Sequence, residues 1–175
     1  MELAKLQNGS DIRGVASEGI AGQPVNLTDE AVFHLAAGFI CWLQKRLGKE
    51  QVRVGVGRDS RISGPRILEN VRKAAEYCGA ALYDTGLAST PAMFMSTITE
   101  GFGYDGAIMI TASHLPSNRN GLKFFVQEGG LESSDIKEVI AIAQKEEYQK
   151  AEGGCYERVD FMTVYAKILA DKIRQ

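Results

Sequence analysis

The sequence has little cysteine, and its few cysteines are poorly arranged for disulfide bonds. Cys41, Cys78 and Cys155 are an odd number, lie far apart and include no C-x-x-C pair. Reduced thiols of this kind are typical of a reducing compartment, so we expect a cytoplasmic protein. Cys41 and Cys78 stand among apolar neighbours, where we expect them to pack as small hydrophobic side chains.

Long apolar runs are also missing. The longest apolar stretch, residues 31–43, contains His34 and falls short of the ~20 residues that a membrane-spanning helix needs. The first ten residues lack the apolar core of a signal peptide. We therefore expect no membrane partner.

Neither sign of charge dominates. Twenty Lys and Arg residues oppose 22 Asp and Glu residues, which gives a formal net charge of -2. Nucleic-acid binding needs a clustered basic surface, and basic pairs such as Lys45-Arg46 are ordinary solvated helix faces. We therefore expect no nucleic-acid partner. A chain of 175 residues with 45% hydrophobic residues is long enough to form a core without disulfides or a structural metal.

Apolar residues recur at helical spacing in segments that alternate with short apolar strands. The predicted helices are 29–47, a second from Ser63-Gly64-Pro65 to Gly79, a third opened by Thr90-Pro91, 134–147 and 159–173. The predicted strands are 52–57, 81–83, 107–110 and 122–126. Alternation of this kind is typical of a parallel sheet with helices on both faces, although the loop before the last strand permits an antiparallel hairpin. We predict an α/β fold of three layers, α/β/α, with a mixed, mostly parallel four-stranded sheet.

The polar segment after the third predicted strand is the richest in chemistry. It reads Thr111-Ala112-Ser113-His114-Leu115-Pro116, and ligands bind at the carboxyl ends of strands in such sheets. An ordinary turn is the alternative, because serine and proline are common in loops. A serine hydrolase is weakly indicated, since Ser113 and His114 would point to opposite sides of an extended segment and no G-x-S-x-G elbow is present.

Basic side chains elsewhere in the chain could complete a phosphate site with this serine. Arg13 lies in an early loop and Lys123 at the start of the fourth predicted strand, and both side chains suit phosphate oxygens. Arg58, Asp59 and Arg61 follow the first predicted strand, where local ion pairs and ligand contacts both stay open. No D-x-D or H-E-x-x-H pattern occurs, so we do not expect a complete metal cage from this chain alone.

Four motifs, taken in order, resemble the α-D-phosphohexomutases, the family of phosphoglucomutase, phosphomannomutase and phosphoglucosamine mutase. They are similar to the family patterns D-[GI]-I-R-G, G-R-D-x-R, T-[AG]-S-H-N-P (the phosphoserine loop) and N-G-x-K. In this chain they read Ser10-Asp11-Ile12-Arg13-Gly14, Gly57-Arg58-Asp59-Ser60-Arg61, Thr111-Ala112-Ser113-His114-Leu115-Pro116 and Asn120-Gly121-Leu122-Lys123. Leu115 departs from the pattern, because most members have Asn there.

The resemblance implies that the chain is one part of a four-domain enzyme. We assign residues 1–152 to domain I, which carries the phosphoserine loop. Residues 153–175 then form a linker and a helix leading into a second domain absent from this chain. The family's magnesium loop, sugar-selecting loop and distal phosphate-binding loop belong to later domains. The remaining domains of the same polypeptide are therefore expected partners, and glucose, mannose and glucosamine phosphates stay open as substrates.

The resemblance also implies a phosphomutase reaction, active only in the full-length protein. Ser113, as phosphoserine, would exchange a phosphoryl group with O1 or O6 of a hexose phosphate through a hexose 1,6-bisphosphate intermediate. Arg13 and Lys123 would stabilise charge on the transferring group, and His114 would orient the loop or contact phosphate. Mg²⁺ would bind through phosphorylated Ser113 and through ligands outside this chain. Leu115 keeps one alternative open, a non-catalytic paralogue or sugar-phosphate binding module on the same scaffold.

Overall fold

The computed structural model describes residues 2–174. A mixed β-sheet lies at the centre of the molecule. A 3-10 turn at Leu3–Leu6 precedes it. The strands in these described residues are β1 (Gln7–Asn8), β2 (Asp11–Val15), β3 (Arg53–Arg58), β4 (Ala81–Leu87), β5 (Gly106–Ile110), β6 (Arg119–Val126), β7 (Gly129–Gly130) and β8 (Cys155–Arg158). The helices are α1 (Asp29–Leu47), α2 (Gly64–Tyr77), α3 (Thr90–Ile98), α4 (Ser133–Lys145) and α5 (Phe161–Ile173).

The four predicted strands form the centre of this sheet. The strand order is β1-β2-β6-β5-β3-β4-β8, with β7 paired to β6. Strand β3 runs parallel to both β4 and β5, and β5 pairs antiparallel with β6. The prediction of a mixed sheet is therefore confirmed, and the antiparallel hairpin that the sequence left open is the arrangement present. The sheet is nevertheless larger than predicted, because it has eight strands among residues 2–174 where the sequence predicted four.

Two of the additional strands lie where the sequence predicted irregular chain. Strand β2 occupies the segment predicted as an early loop and pairs antiparallel with β6, Ile12 opposite Leu122. This strand has only five residues, and its polar residues Asp11 and Arg13 lie on the face opposite the buried Ile12. So short an alternation gives a weak strand signal. Strand β8 lies in the predicted linker and pairs parallel with β4 at the edge of the sheet. Most of its residues are exposed, so it lacks an apolar pattern.

Helices cover both faces of the sheet, as the three-layer prediction requires. Helices α1, α2 and α4 pack together on one face, and their apolar side chains share one core with Ile108 and Phe124 of the sheet. Helix α3 covers the other face, where Met93 packs on Met109 and Phe125. Helix α1 has the predicted ends, because Thr28 Oγ1 accepts from the Ala31 N–H at 3.1 Å and Gly48 adopts a left-handed conformation.

Helix α5 is attached to the rest of the molecule by one buried side chain. Phe161 is fully buried and packs edge-on against Phe102, with ring centroids 4.8 Å apart. The predicted apolar stripe of this helix is not part of the core, because Leu169 and Ile173 are 42% and 85% exposed. The sequence predicted the helix but missed Phe161 as its anchor.

The cysteines behave as predicted. Cys41 and Cys78 are buried free thiols, whereas Cys155 is exposed. Burial raises the pKa of Cys41, and it raises the pKa of Cys78 to about 12. Among residues 2–174, none of the helices combines the length and the apolar character that crossing a membrane requires.

Candidate functional site

The predicted site residues gather at one edge of the sheet, where β3 and β5 end and β6 begins. The N–H of Asp59, just after β3, donates to the carbonyl of Ile110 at the end of β5, 3.1 Å away. The serine loop, residues 111–118, leaves this point and returns as β6. The loop therefore stands at the carboxyl ends of parallel strands, where α/β sheets bind ligands.

Ser113 is exposed at the outer turn of this loop, in an uncommon backbone conformation. Its φ of 54° lies in the left-handed region, which few residues other than glycine adopt. Both backbone polar groups of Ser113 have partners. Its N–H donates to Thr111 Oγ1 at 3.0 Å, and its carbonyl accepts from Arg61 at 2.8 Å. The loop therefore presents the hydroxyl to solvent on a backbone that is fixed at both ends.

The expectation that Ser113 and His114 point apart is wrong. The positive φ turns the chain, so that Ser113 Oγ lies 3.4 Å from His114 Nδ1. This distance is longer than a nucleophile–base hydrogen bond, and both side chains are exposed. Among residues 2–174, no protein group accepts a hydrogen bond from the other ring nitrogen of His114 to orient it. The hydrolase interpretation therefore remains disfavoured, now on this geometry.

Arg13 and Lys123 lie side by side on the sheet next to the loop, joined through one carboxylate. Asp11 Oδ2 accepts from Arg13 Nη2 at 2.9 Å, and Asp11 Oδ1 accepts from Lys123 Nζ at 2.8 Å. The Arg13 side chain is only 10% exposed, and the Lys123 side chain is 25% exposed. Asp11 therefore holds two cations together on the face of the sheet that carries α3.

Gly121 explains how the guanidinium of Arg13 reaches the serine loop. Gly121 lies on β6 between Arg13 on β2 and Thr111, whose N–H donates to the Gly121 carbonyl at 3.1 Å. A Cβ at Gly121 would lie 2.8 Å from Arg13 Nη1 and would also collide with the Ile12 carbonyl oxygen. Because position 121 has no side chain, Arg13 crosses β6 and donates to the Thr111 carbonyl. The glycine and the lysine of N-G-x-K thus serve the same site.

The charges of this edge favour an anion. Three cations, Arg13, Arg61 and Lys123, face two carboxylates, Asp11 and Asp59, so these five side chains leave one positive charge. Burial lowers the pKa of Arg13, and the nearby charge of Arg61 lowers it further, whereas Asp11 and Asp59 raise it. The guanidinium stays protonated, because an arginine in a protein is effectively always charged. A phosphate group beside these cations would therefore be stabilised.

Arg61 is the functional residue that sequence reasoning underestimated. The local ion pair left open by the sequence is present, since Arg61 Nε lies 3.2 Å from Asp59 Oδ2. Arg61 also donates to four backbone carbonyls of the serine loop and the start of β6. No sequence pattern predicts these hydrogen bonds. The only available signal was its spacing from Asp59 in G-R-D-x-R. The Arg58 side chain, by contrast, has one hydrogen bond within residues 2–174, a long one of 3.3 Å to the Asp59 carbonyl.

The side chains of this edge could supply one ligand to a metal ion, and they do not form a complete metal site. Among residues 2–174, no three His, Cys, Asp or Glu side chains lie together in a way that could hold a metal. The carboxylates of Asp11 and Asp59 are already engaged by basic side chains. The exposed oxygen of Ser113, once phosphorylated, is the group here that fits a hard cation.

Comparison with known proteins identifies the domain. The family described as "Phosphoglucomutase/phosphomannomutase, alpha/beta/alpha domain I" matches residues 4–150. The chain belongs to this phosphoglucomutase/phosphomannomutase family.

Individual relatives agree with this assignment. The chain is 29% identical to a phosphoglucomutase of Neisseria meningitidis serogroup B over 165 residues, which cover 94% of this chain and 33% of that protein. It is 30% identical to a phosphoglucomutase/phosphomannomutase of Thermococcus kodakarensis over 175 residues, covering 98% of this chain and 36% of that protein. The chain thus spans about a third of the length of these curated relatives.

A solved structure shares the fold. It is a phosphoglucomutase/phosphomannomutase family protein from Burkholderia thailandensis, with a TM-score of 0.74 and 23% sequence identity. The match covers 90% of this chain and 33% of the other. The α/β/α architecture predicted from the sequence is therefore confirmed by an independent structure.

Proposed function

We propose that this chain is the phosphoserine domain of a phosphohexomutase, with residues 1–152 as domain I. Within residues 153–175, β8 extends the sheet of that domain, and α5 would lead toward further domains. The observation that carries the proposal is the geometry of Ser113. Its hydroxyl is exposed on a loop whose backbone is fixed, beside two half-buried cations, Arg13 and Lys123, that share one carboxylate. A serine that carries and releases a phosphoryl group needs both exposure and nearby positive charge.

In the proposed reaction, phosphorylated Ser113 donates its phosphoryl group to O1 or O6 of a hexose phosphate. The bond between phosphorus and Ser113 Oγ breaks, a bond to the sugar oxygen forms, and the sugar hydroxyl proton passes to a base outside this chain. The freed Ser113 oxygen takes up a proton. In the return step the bond between the other phosphorus of the hexose 1,6-bisphosphate and its sugar oxygen breaks, a bond to Ser113 Oγ forms, and the serine proton is released as the freed sugar oxygen gains one. The sugar leaves with its phosphate moved from one oxygen to the other.

The basic residues act on the charge of the transferring group. Arg13 is held by Thr111 and Asp11, so its guanidinium is oriented before substrate arrives, and such preorganised charge is effective in catalysis. Lys123 adds a more mobile positive charge beside it. His114 lies against Ser113 Oγ and would contact the phosphate or orient the loop.

Mg²⁺ would be held through a phosphate oxygen on Ser113 and through ligands from other domains. When bound, it would neutralise charge on the phosphoryl group. Because this chain contributes one metal ligand and one side of the site, we expect mutase activity only in the longer polypeptide. We place that enzyme in the cytoplasm, with a hexose phosphate as substrate and its own remaining domains as partners.

Leu115 does not by itself favour the alternative of a non-catalytic binding module. The contact that residue 115 makes to the loop network uses its backbone carbonyl, which accepts from Arg61 Nη2 at 2.9 Å. Any side chain at this position offers the same carbonyl. The loop conformation is therefore compatible with leucine in place of asparagine.

Replacement of Ser113 tests the proposed function. In the longest polypeptide that the gene encodes, Ser113→Ala should abolish conversion of glucose 1-phosphate or mannose 1-phosphate in the presence of glucose 1,6-bisphosphate. Ser117→Ala is the matched control, because Ser117 is another exposed serine of the same loop. It should retain activity. The free energy of unfolding of the Ser113→Ala variant should differ from that of the wild type by no more than ~0.5 kcal/mol, since an exposed hydroxyl contributes little stability. Near-wild-type turnover by Ser113→Ala would overturn the phosphoserine mechanism.

A further inference from the structure

We infer that Asp59 and Arg61 are positioning residues that set the conformation of Ser113 for phosphoryl transfer. The inference rests on the proposed function, because it assigns these two residues a role in a reaction at Ser113. It is carried by the hydrogen bonds of the Asp59 and Arg61 side chains, and these two residues are not among the site residues proposed above, Ser113, Arg13, Lys123 and His114.

Arg61 uses all three guanidinium nitrogens within the site. Its Nε donates to Asp59 Oδ2 at 3.2 Å, and its side chain is 13% exposed. The acceptors of its terminal nitrogens are backbone carbonyls: Pro116 at 2.7 Å and Arg119 at 3.1 Å for Nη1, and Ser113 at 2.8 Å and Leu115 at 2.9 Å for Nη2. Five acceptors match the five N–H donors of a guanidinium. Arg61 therefore joins one turn of the loop to the first residue of β6.

Asp59 completes the network from the other side of Ser113. Its Oδ2 also accepts from Thr111 Oγ1 at 2.7 Å, and Thr111 Oγ1 in turn accepts from the Ser113 N–H at 3.0 Å. The N–H of Ser113 is thus linked to Asp59 through Thr111, and its carbonyl is held directly by Arg61. The carboxylate and the guanidinium are themselves paired, so the two ends of Ser113 are tied to one ion pair.

This arrangement accounts for the left-handed conformation of Ser113. A non-glycine residue at a φ of 54° is unfavourable and persists only where its surroundings enforce it. The loop has few apolar contacts to enforce it, because Ser113, His114, Pro116 and Ser117 are all exposed. The hydrogen bonds of Arg61 and Thr111, together with the turn bond from the Leu115 N–H to the Ala112 carbonyl at 3.0 Å, hold the backbone that carries the serine hydroxyl.

Lysine cannot replace Arg61 in this role. An ammonium group keeps the positive charge but offers three donors at one point, whereas the four carbonyls and the carboxylate surround a planar fork. Arg61→Lys therefore removes the fixed geometry while retaining the charge. Arg66→Lys is the matched control, because Arg66 also pairs with a carboxylate, Asp29, and donates to two carbonyls in a loop without Ser113.

The first test measures the loop in this chain by NMR. Water exchange of the Ser113 N–H and ¹⁵N relaxation of residues 113–119 should be compared in the wild type, Arg61→Lys and Arg66→Lys. We expect exchange of the Ser113 N–H to be about tenfold faster in Arg61→Lys, through local opening of the loop. We expect no change at Ser113 in Arg66→Lys. Unchanged exchange and relaxation in Arg61→Lys would overturn the inference.

The second test separates positioning from a merely structural role. In the longest polypeptide that the gene encodes, Arg61→Lys should lower kcat about 10- to 100-fold, as expected for a misplaced reacting group. Its KM should stay within about twofold, because the substrate contacts proposed for this chain are unchanged. Arg66→Lys should leave both constants near the wild type. Wild-type kcat in Arg61→Lys, or a loss of kcat that only follows the fraction of unfolded protein, would overturn the inference. A wild-type polypeptide without mutase activity would instead overturn the proposed function, and the transfer role with it, while the NMR comparison would still report whether Arg61 fixes the loop.

Discussion

Replacement of Gly121 by alanine would show whether the crossing of Arg13 over β6 is as tight as the structure indicates. The added Cβ would lie 2.8 Å from Arg13 Nη1 and 2.9 Å from Arg13 Cδ, and it would also meet the Ile12 carbonyl. The carbonyl belongs to the paired strand β2 and cannot move without disturbing the sheet. The substitution must therefore displace the Arg13 side chain, the strand, or both.

The expected cost combines three contributions. Forcing a methyl group into a filled space costs about 1–3 kcal/mol. Loss of the hydrogen bond from Arg13 to the Thr111 carbonyl adds roughly 1.5 kcal/mol. The lower entropy of alanine in the unfolded chain returns about 0.4–1 kcal/mol. We expect a net destabilisation of about 1.5–4 kcal/mol, which for a chain of this size lowers Tm by roughly 3–16 °C.

A matched glycine provides the control. Gly130 also lies in a strand paired to β6, but the nearest atoms to an added Cβ are 3.8 Å away, at ordinary contact distance. Gly130→Ala should therefore change stability by no more than ~0.5 kcal/mol. Urea unfolding of both variants followed by circular dichroism gives the two free energies. Equal stabilities of Gly121→Ala and Gly130→Ala would refute the proposed crossing.

A double variant identifies which neighbour is displaced. If the clash with Arg13 contributes, Gly121→Ala combined with Arg13→Ala should be about 1 kcal/mol less destabilised than the sum of the single variants. The collision with the Ile12 carbonyl remains, so the coupling should not cancel the whole effect. Strict additivity would mean that Arg13 does not lie across Gly121.

Three further predictions concern the basic residues, the last helix and the cysteines. Arg13→Ala and Lys123→Ala should each lower kcat/KM of the longer polypeptide. Arg13→Ala should also lower the free energy of unfolding by roughly 1.5 kcal/mol, because it removes the hydrogen bond to the Thr111 carbonyl. A large loss of stability with full activity in Lys123→Ala would reassign Lys123 to a structural ion pair with Asp11. Hydrogen exchange in this chain should be faster in 159–173 than in 29–47, because α5 has one buried side chain whereas α1 has eleven buried residues between Ala31 and Leu43. Equal protection of the two helices would contradict this prediction. At pH 8, iodoacetamide should label Cys155 quickly and Cys41 and Cys78 slowly, since burial keeps the last two as neutral thiols, and fast labelling of all three in folded protein would contradict their burial. The raised pKa of Cys78 also predicts how stability depends on pH. The stabilisation from its buried neutral thiol is complete below pH 9.0, the ordinary pKa of a cysteine, and is lost as the pH rises toward 12.

The strongly periodic parts of the sequence predicted the fold well. Helix α1 combines an apolar stripe, a threonine cap and a terminal glycine, and its predicted bounds coincide with Asp29–Leu47. Strands β3 and β5 are buried on both faces and therefore carry apolar runs. The edge strands could not be predicted in the same way. Strand β8 is largely exposed and held by backbone pairing to β4, so its residues Cys155–Arg158 show no strand pattern.

The site was predictable in its residue types and not in its connections. Local motifs indicated the serine loop and the basic residues, because serine, arginine and lysine are chemically suited to phosphate. The partners of Arg61 are backbone carbonyls, which every residue possesses, so no pattern of side chains reveals them. The contact between Ser113 and His114 was missed because a positive φ at serine is set by the surrounding loop and not by its own propensity.

Ser113 is proposed to carry the phosphoryl group, and mass spectrometry can detect that group on the serine itself. The longest polypeptide that the gene encodes should be incubated with glucose 1,6-bisphosphate and digested, and the phosphorylated peptide sequenced. We expect phosphate on Ser113, absent in Ser113→Ala, and its loss when excess glucose 1-phosphate or mannose 1-phosphate is added. Phosphate on another residue, or phosphate on Ser113 that no hexose phosphate removes, would show that Ser113 is not the phosphoryl carrier.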